Sequence, residues 1–207
     1  MPNSSTKPTN GPGAVVFDLE TNGLLHDATK IHCVALHWCD LNKTETYNDE
    51  RYVKNPGSYI KEDCPMPSNF SITTAITWLE VADYIVGHNI IGFDIPIIKR
   101  LHPWFNPSGI IVDTLLLSRL YHPNLLDIDK KYKMRKDEGF KPLPYTQLHG
   151  RHSLEAYGYR LGEYKGNFSK TTDWKNWSQE MQDYCAQDVA VTTKLCNHFH
   201  KYLTGSN

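Results

Sequence analysis

At 207 residues, with 40% hydrophobic and 22% charged side chains, the chain has the make-up of one domain that buries a core without disulfide staples. A net charge of −1 excludes attraction of nucleic acid by a whole-molecule basic field, so local positive patches or bound cations would have to do that work. Five cysteines without a C-x-x-C pair argue against a disulfide framework and a zinc site and suit a reducing compartment, and no stretch approaches a membrane span.

In chain order, residues 1–13 are polar, rich in Ser, Thr, Pro and Asn, and read as a disordered leader, leaving residues 14–207 as the folded domain. The apolar run at 14–17 predicts a buried strand, 31–38 a second, and 44–47 a third beyond an Asp-Leu-Asn-Lys turn. Residues 49–69 carry three prolines and read as an irregular surface excursion. Ser71 is an N-cap for a helix with Ile72, Ala75, Ile76 and Leu79 on one face. A strand at 84–87 leads through a polar loop to a helix opened by Asp94, with Pro96 in its first turn. A strand at 110–112 precedes a helix through Leu115, Leu116 and Leu120; residues 122–150 show no clear period. Helices are expected at 152–161 and from Ser178 to about Lys201. Strands first, then alternating helix and strand, indicate an α/β domain.

Three short constellations carry potential chemistry. Asp18 and Glu20 flank Leu19 at the end of the first strand, so their side chains share one face. Two carboxylates a pleat apart favour a hard cation between them, although a strand end meeting solvent explains the triplet alone. Asn89 and Asp94 bracket the loop before a helix, where capping by itself accounts for the acid. Tyr184 and Asp188 stand four apart on the last helix and share a face, which in isolation is weak.

Their order and spacing together are specific. Asp-x-Glu on a first strand, Asn-x-x-x-Phe-Asp after a later strand and Tyr-x-x-x-Asp on a late helix resemble the three motifs of the DnaQ-like, DEDD-type 3′–5′ exonucleases. Residues 113–120 and 154–163 also look like segments of the exonuclease domain of T-odd podophage family A DNA polymerases. The resemblance implies a ribonuclease H-like α/β fold, a mixed central sheet flanked by helices, and cleavage assisted by two divalent cations, Mg²⁺ or Mn²⁺. It assigns Asp18, Glu20 and Asp188 to the first metal, with Asp18 also touching the second. Asp94 would serve the second metal through its water shell, and Tyr184 would orient the attacking water, which places the chain in the tyrosine subclass. Thr21 and Leu24 match positions that contact the terminal sugar and wedge between the last bases, with a core role an equal alternative for Leu24. Asn89 would hydrogen-bond the DNA backbone or close a local Asx turn.

Six basic residues between Lys130 and Lys141, interleaved with Tyr132 and Phe140, either track a single strand or form a solvated loop. Phe93 stands where relatives often have Tyr, and the chain stops at Asn207, where the phage polymerases continue. The expected partners are DNA 3′ ends, single-stranded, and a DNA polymerase lacking its own exonuclease domain, with no membrane. The expected location is the cytoplasm, that of the host if the chain is phage-encoded. Two alternatives stay open: an exoribonuclease or oligoribonuclease, and a non-catalytic nucleic-acid-binding module, the latter disfavoured because all four acids are present.

Overall fold

A computed structural model describes residues 13–50, 70–163 and 173–204. Five strands form one mixed sheet: β1 (Ala14–Thr21), β2 (Ile31–Trp38), β3 (Lys43–Tyr47), β4 (Tyr84–Gly87) and β5 (Ile110–Asp113). Their order is β3-β2-β1-β4-β5. β1, β2 and β3 pair antiparallel with one another, whereas β4 and β5 run parallel to β1, as expected once helical crossovers intervene. Between them run α1 (Ile72–Val81) and α2 (Asp94–Leu101), and α3 (Thr114–Tyr121) follows β5 directly. Two short helices, α4 (Leu125–Lys130) and α5 (Tyr132–Asp137), precede α6 (Leu154–Leu161) and the long α7 (Gln179–Thr204). The expected α/β sheet with flanking helices is the observed architecture.

The strand alternation decides which helix meets which face. Val15, Phe17 and Leu19 of β1 join Val34, Leu36 and Trp38 of β2 in a core shared with Ile72, Ala75, Ile76 and Leu79 of α1. Ile95, Ile97 and Ile98 of α2 complete that layer. The opposite face offers Val16, Cys33, Ala35 and Val86 to Met181, Cys185 and Val189 of α7. Asp18 and Glu20 share parity with Val16, so they emerge on the α7 side. Their β2 partners in register are Ala35 and Cys33, small side chains that leave room beneath the helix.

A third cluster lies beyond the sheet, where Leu125, Ile128, Phe140 and Tyr157 pack on Val191, Leu195 and Phe199 of α7. Against its Tyr157 lies a buried ion pair: Arg160 Nε and Nη2 donate to Asp129 Oδ1 and Oδ2 at 2.9 and 2.7 Å, and Nη1 donates to the Arg151 carbonyl at 2.8 Å. Complete hydrogen bonding of this kind is what allows two charges to sit in an apolar cluster.

Several expectations shift at their edges. Ser71 caps α1 as expected, its Oγ accepting from Thr74 N at 3.2 Å. Gly13, placed in the leader, already belongs to the fold: its amide donates to Asp83 Oδ2 at 3.2 Å. The rest of the leader, residues 1–12, lies outside the described residues, as does the excursion from 51 to 69. Residues 122–150 hold α4, α5 and a 3₁₀ turn, each too short to print a periodic stripe.

Candidate active site

The three motifs converge. One carboxylate oxygen each from Asp18, Glu20 and Asp188 lies within 4.8 Å of the others. Asp18 and Glu20 come from the end of β1; Asp188 comes from the first half of α7, held over the sheet by Met181, Cys185 and Val189. The Cys185 thiol donates to the backbone carbonyl of Asp18 at 3.4 Å and ties helix to strand at the site itself. Tyr184, one turn before Asp188, donates its hydroxyl to the Asp188 carboxylate.

Asp94 stands beside this trio and outside it. Pairing of β1 with β4 stops at Val16 and Val86. Beyond that point the Leu19 amide donates to the Asp94 carboxylate, as does the amide of Asp94 itself. Phe93 supplies the N-cap position of α2 without a side-chain cap, so Asp94 is the first helical residue rather than the cap. The helix dipole still favours its charge there.

The loop before Asp94 is set by a residue the motif search did not single out. Asp113, at the end of β5, accepts from Asn89 N and Ile91 N at 3.0 Å each and from Leu115 N at 2.9 Å. The loop starts with Asn89 in the left-handed region, φ 65°. A Cβ at Gly92 would sit 2.7 Å from Asn89 Oδ1, so a larger residue there would have to displace the Asn89 side chain. Two sequence signals pointed to Asp113: its place at the head of the resembling segment 113–120, and an acid closing a strand just before a helix.

Asn89 is exposed and Leu24 is 75% exposed, so the core alternative for Leu24 is overturned: the Asn22–Thr29 loop holds it out in solvent. Thr21 is buried, its hydroxyl donating to the Gly23 carbonyl at 2.6 Å. Phe140, grouped with the stacking rings of the basic segment, is a correction. It is 5% exposed and packs in the α7 cluster, because apolar contact with Tyr157 and His198 outcompetes a solvent-facing position. Tyr132 is exposed, with the Arg135 guanidinium 5.7 Å from its ring centre.

Electrostatics give the cluster its character. Burial, then repulsion from Glu20, Asp188 and Asp94, holds the Asp18 carboxyl well above its ordinary range. Glu20 is raised too, by burial and then by Cys33, Asp188 and Asp94. Burial pushes Asp94 and Asp188 up to about 7, against the hydrogen bonds each accepts. Burial and the neighbouring acids also raise the Tyr184 phenol, which therefore stays a donor. Four acids that resist losing their protons, supplying only oxygen donors, form a set that a hard divalent cation relieves. Asp18, Glu20 and Asp188 fit one such ion; Asp94, reaching in from the α2 side, fits service to a neighbour.

The RNase H superfamily profile matches residues 15–200. The DNA-directed DNA polymerase of Escherichia phage T7 is 34% identical over 204 aligned positions, covering 87% of this chain. Its counterpart in Enterobacteria phage T3 is 33% identical over the same share. The chain spans about a quarter of the length of these two relatives, 26% of each. Among solved structures, Brucella melitensis NrnC bound to pGG superposes with a TM-score of 0.55 at 16% identity, covering 99% of this chain and 78% of that one. A second, described as the apo form of the nuclease, gives 0.54 at 17% identity over 93% and 75%. At those identities the two structures share the fold.

The chain belongs to the RNase H superfamily. Within it, the chain is related to a quarter-length portion of the T7 and T3 DNA polymerases, which bears out the resemblance carried by the motifs.

Proposed function

We propose that the protein is a metal-dependent 3′–5′ exonuclease that removes nucleotides one at a time from DNA 3′ ends. The observation that carries this reading is the convergence of Asp18, Glu20 and Asp188 with Asp94 alongside and Tyr184 donating onto Asp188. Asp18, Glu20 and Asp188 would hold one Mg²⁺ or Mn²⁺, and Asp18 with Asp94 a second. When bound, such a pair activates the attacking water and stabilises charge on the phosphate and on the departing 3′ oxygen.

The chain's own residues do the rest. Tyr184 orients the water through its hydroxyl, and that hydroxyl also fixes the rotamer of Asp188. Leu24, in the loop after Glu20, and Ile91, in the loop before Asp94, are both apolar and exposed, as suits packing against terminal bases. Leu24 wedges between the last two bases, while Thr21 and Asn89 meet the terminal sugar and the backbone. Exposed Lys130, Lys131 and Lys133 supply positive charge to a near-neutral chain. A DNA polymerase without an exonuclease domain is the candidate partner; the test is extension from a mispaired primer with both proteins present. Leu195 and Phe199 are spent on the internal core, so a docking face would lie elsewhere than on that side of α7.

The deciding experiment is a time course on 5′-labelled single-stranded DNA with Mg²⁺ or with EDTA, run beside matched RNA. A ladder shortening from the 3′ end of DNA, abolished by EDTA and by Asp18→Ala, is the expected result. Faster shortening of RNA would replace the proposal with an exoribonuclease. Binding without cleavage would replace it with a nucleic-acid clamp.

A further inference from the structure

A second group of metal-binding side chains converges away from the carboxylates. His122 lies at the end of α3, Glu138 at the end of α5, and His198 on the second half of α7. One ligand atom from each lies within 4.8 Å of the others. The two Nε2 atoms face each other at 3.0 Å, and Glu138 Oε2 is 3.9 Å from His122 Nε2 and 3.5 Å from His198 Nε2. Around a tetrahedral ion with bonds of about 2.0–2.1 Å, neighbouring ligand atoms stand about 3.3 Å apart. The three edges bracket that spacing.

As a hydrogen-bonded network the same triangle is poorly used. Only one proton fits between two facing ring nitrogens, and neither imidazole is within normal hydrogen-bond length of the carboxylate. The rings are held rigidly: His122 packs edge-on against Phe140 and Tyr202, and His198 lies 4.8 Å from the Phe140 ring centre. A neutral imidazole has one ring nitrogen free of a proton, so each ring can offer its Nε2 lone pair to a cation once its proton sits on Nδ1. Glu138 is anchored through Oε1 by the Tyr202 hydroxyl at 3.0 Å. Its Oε2 accepts from that hydroxyl at 2.8 Å and from Lys201 Nζ at 3.1 Å. The Lys201 side chain is 42% exposed and can swing into water when a stronger cation takes Oε2.

We propose that His122, Glu138 and His198 form a structural cation site that takes Zn²⁺, with water in the fourth position. Two imidazoles and a carboxylate are a ligand set this ion favours, and no cysteine takes part, which is why the cysteine pattern could not announce it. The ion fastens the second half of α7 to the segment containing α3 and α5. Ten residues separate Asp188 from His198 on one helix, an axial distance of about 15 Å, so the two sites are independent.

The test uses the full chain carrying Asp18→Ala and Glu20→Ala, so that the carboxylate centre does not compete. Zn²⁺ is titrated against a chromophoric chelator, the thermal midpoint is followed, and zinc-edge X-ray absorption reads the ligands. The expected result is one bound equivalent, a midpoint raised by several degrees, and a coordination shell with two imidazoles. His198→Gln should weaken binding by at least about 100-fold, the upper end of what losing a mere supporting partner costs. Glu138→Gln, at a partly exposed position, gives the same reading if the histidine variant fails to fold. Absence of a bound equivalent, a shell of oxygen ligands alone, or binding that survives both variants overturns the proposal.

Discussion

Replacing Asp94 by Asn should make the cation-free protein more stable at alkaline pH while destroying its activity. The carboxyl is buried and rises from an ordinary 3.8 to about 7, roughly three units, or about 4 kcal/mol of cost for holding it ionised. The sign follows from proton binding. A carboxyl with a raised folded pKa stabilises the native state at low pH, and that contribution is lost as pH climbs from about 4 through 7. Asn keeps an oxygen to accept from the Leu19 amide but accepts less strongly than a carboxylate, a loss of about 1–2 kcal/mol. The net gain at pH 8 is then about 2–3 kcal/mol, a rise in thermal midpoint of about 5–10 °C for a chain of this size. Calorimetry in EDTA at pH 8 and pH 4 is the assay: the gain should appear at pH 8 and vanish at pH 4. In Mg²⁺ the order should narrow or invert, because the wild type gains binding free energy. An Asp94→Asn protein no more stable than wild type at pH 8 without cation would refute the reasoning that charge repulsion and burial dominate this site.

Tyr184→Phe should leave cation affinity near wild type and lower turnover on the order of 10- to 100-fold, the value of one hydrogen bond to a charged group; isothermal titration and single-turnover rates separate the two. Because the lost hydroxyl also lowers the Asp188 pKa, the rate profile should shift to higher pH. Arg160→Met strands the Asp129 carboxylate in the third core cluster and should cost about 3–5 kcal/mol in urea unfolding. Lys130, Lys131 and Lys133 changed together to Glu should weaken single-strand binding, with the slope of log affinity against log salt falling by about 0.7 per lost phosphate contact. An unchanged slope would assign Lys131 and Lys133 to their local pairs with Asp127 and Asp137.

The strands and the carboxylates were legible because both depend on parity. The alternation in β1 that buries Val15, Phe17 and Leu19 also turns Asp18 and Glu20 towards α7. Other features depend on groups distant in the chain and carry no local pattern. The Leu19 amide reaches Asp94 only because strand pairing stops short of it. Phe140 reads as an exposed ring between lysines, and only packing on Tyr157 and His198 reveals it as core. The His122–Glu138–His198 triangle likewise has no spacing to search for, since its members come from three separate segments.

The Cys185 thiol bonded to the Asp18 carbonyl joins residues 167 positions apart, and on the proposed nuclease reading this closure decides when the site can first act on nucleic acid. A nascent chain that has released β1 through β5 carries Asp18, Glu20 and Asp94 but lacks Asp188 and its tyrosine. Such a chain can build the five-stranded sheet and still lack the Asp188 arm of the carboxylate cluster. Contacts of this range form late, because the entropy of closing the intervening loop opposes them until the rest is in place. Synthesis itself therefore acts as a safety catch, released only when α7 docks.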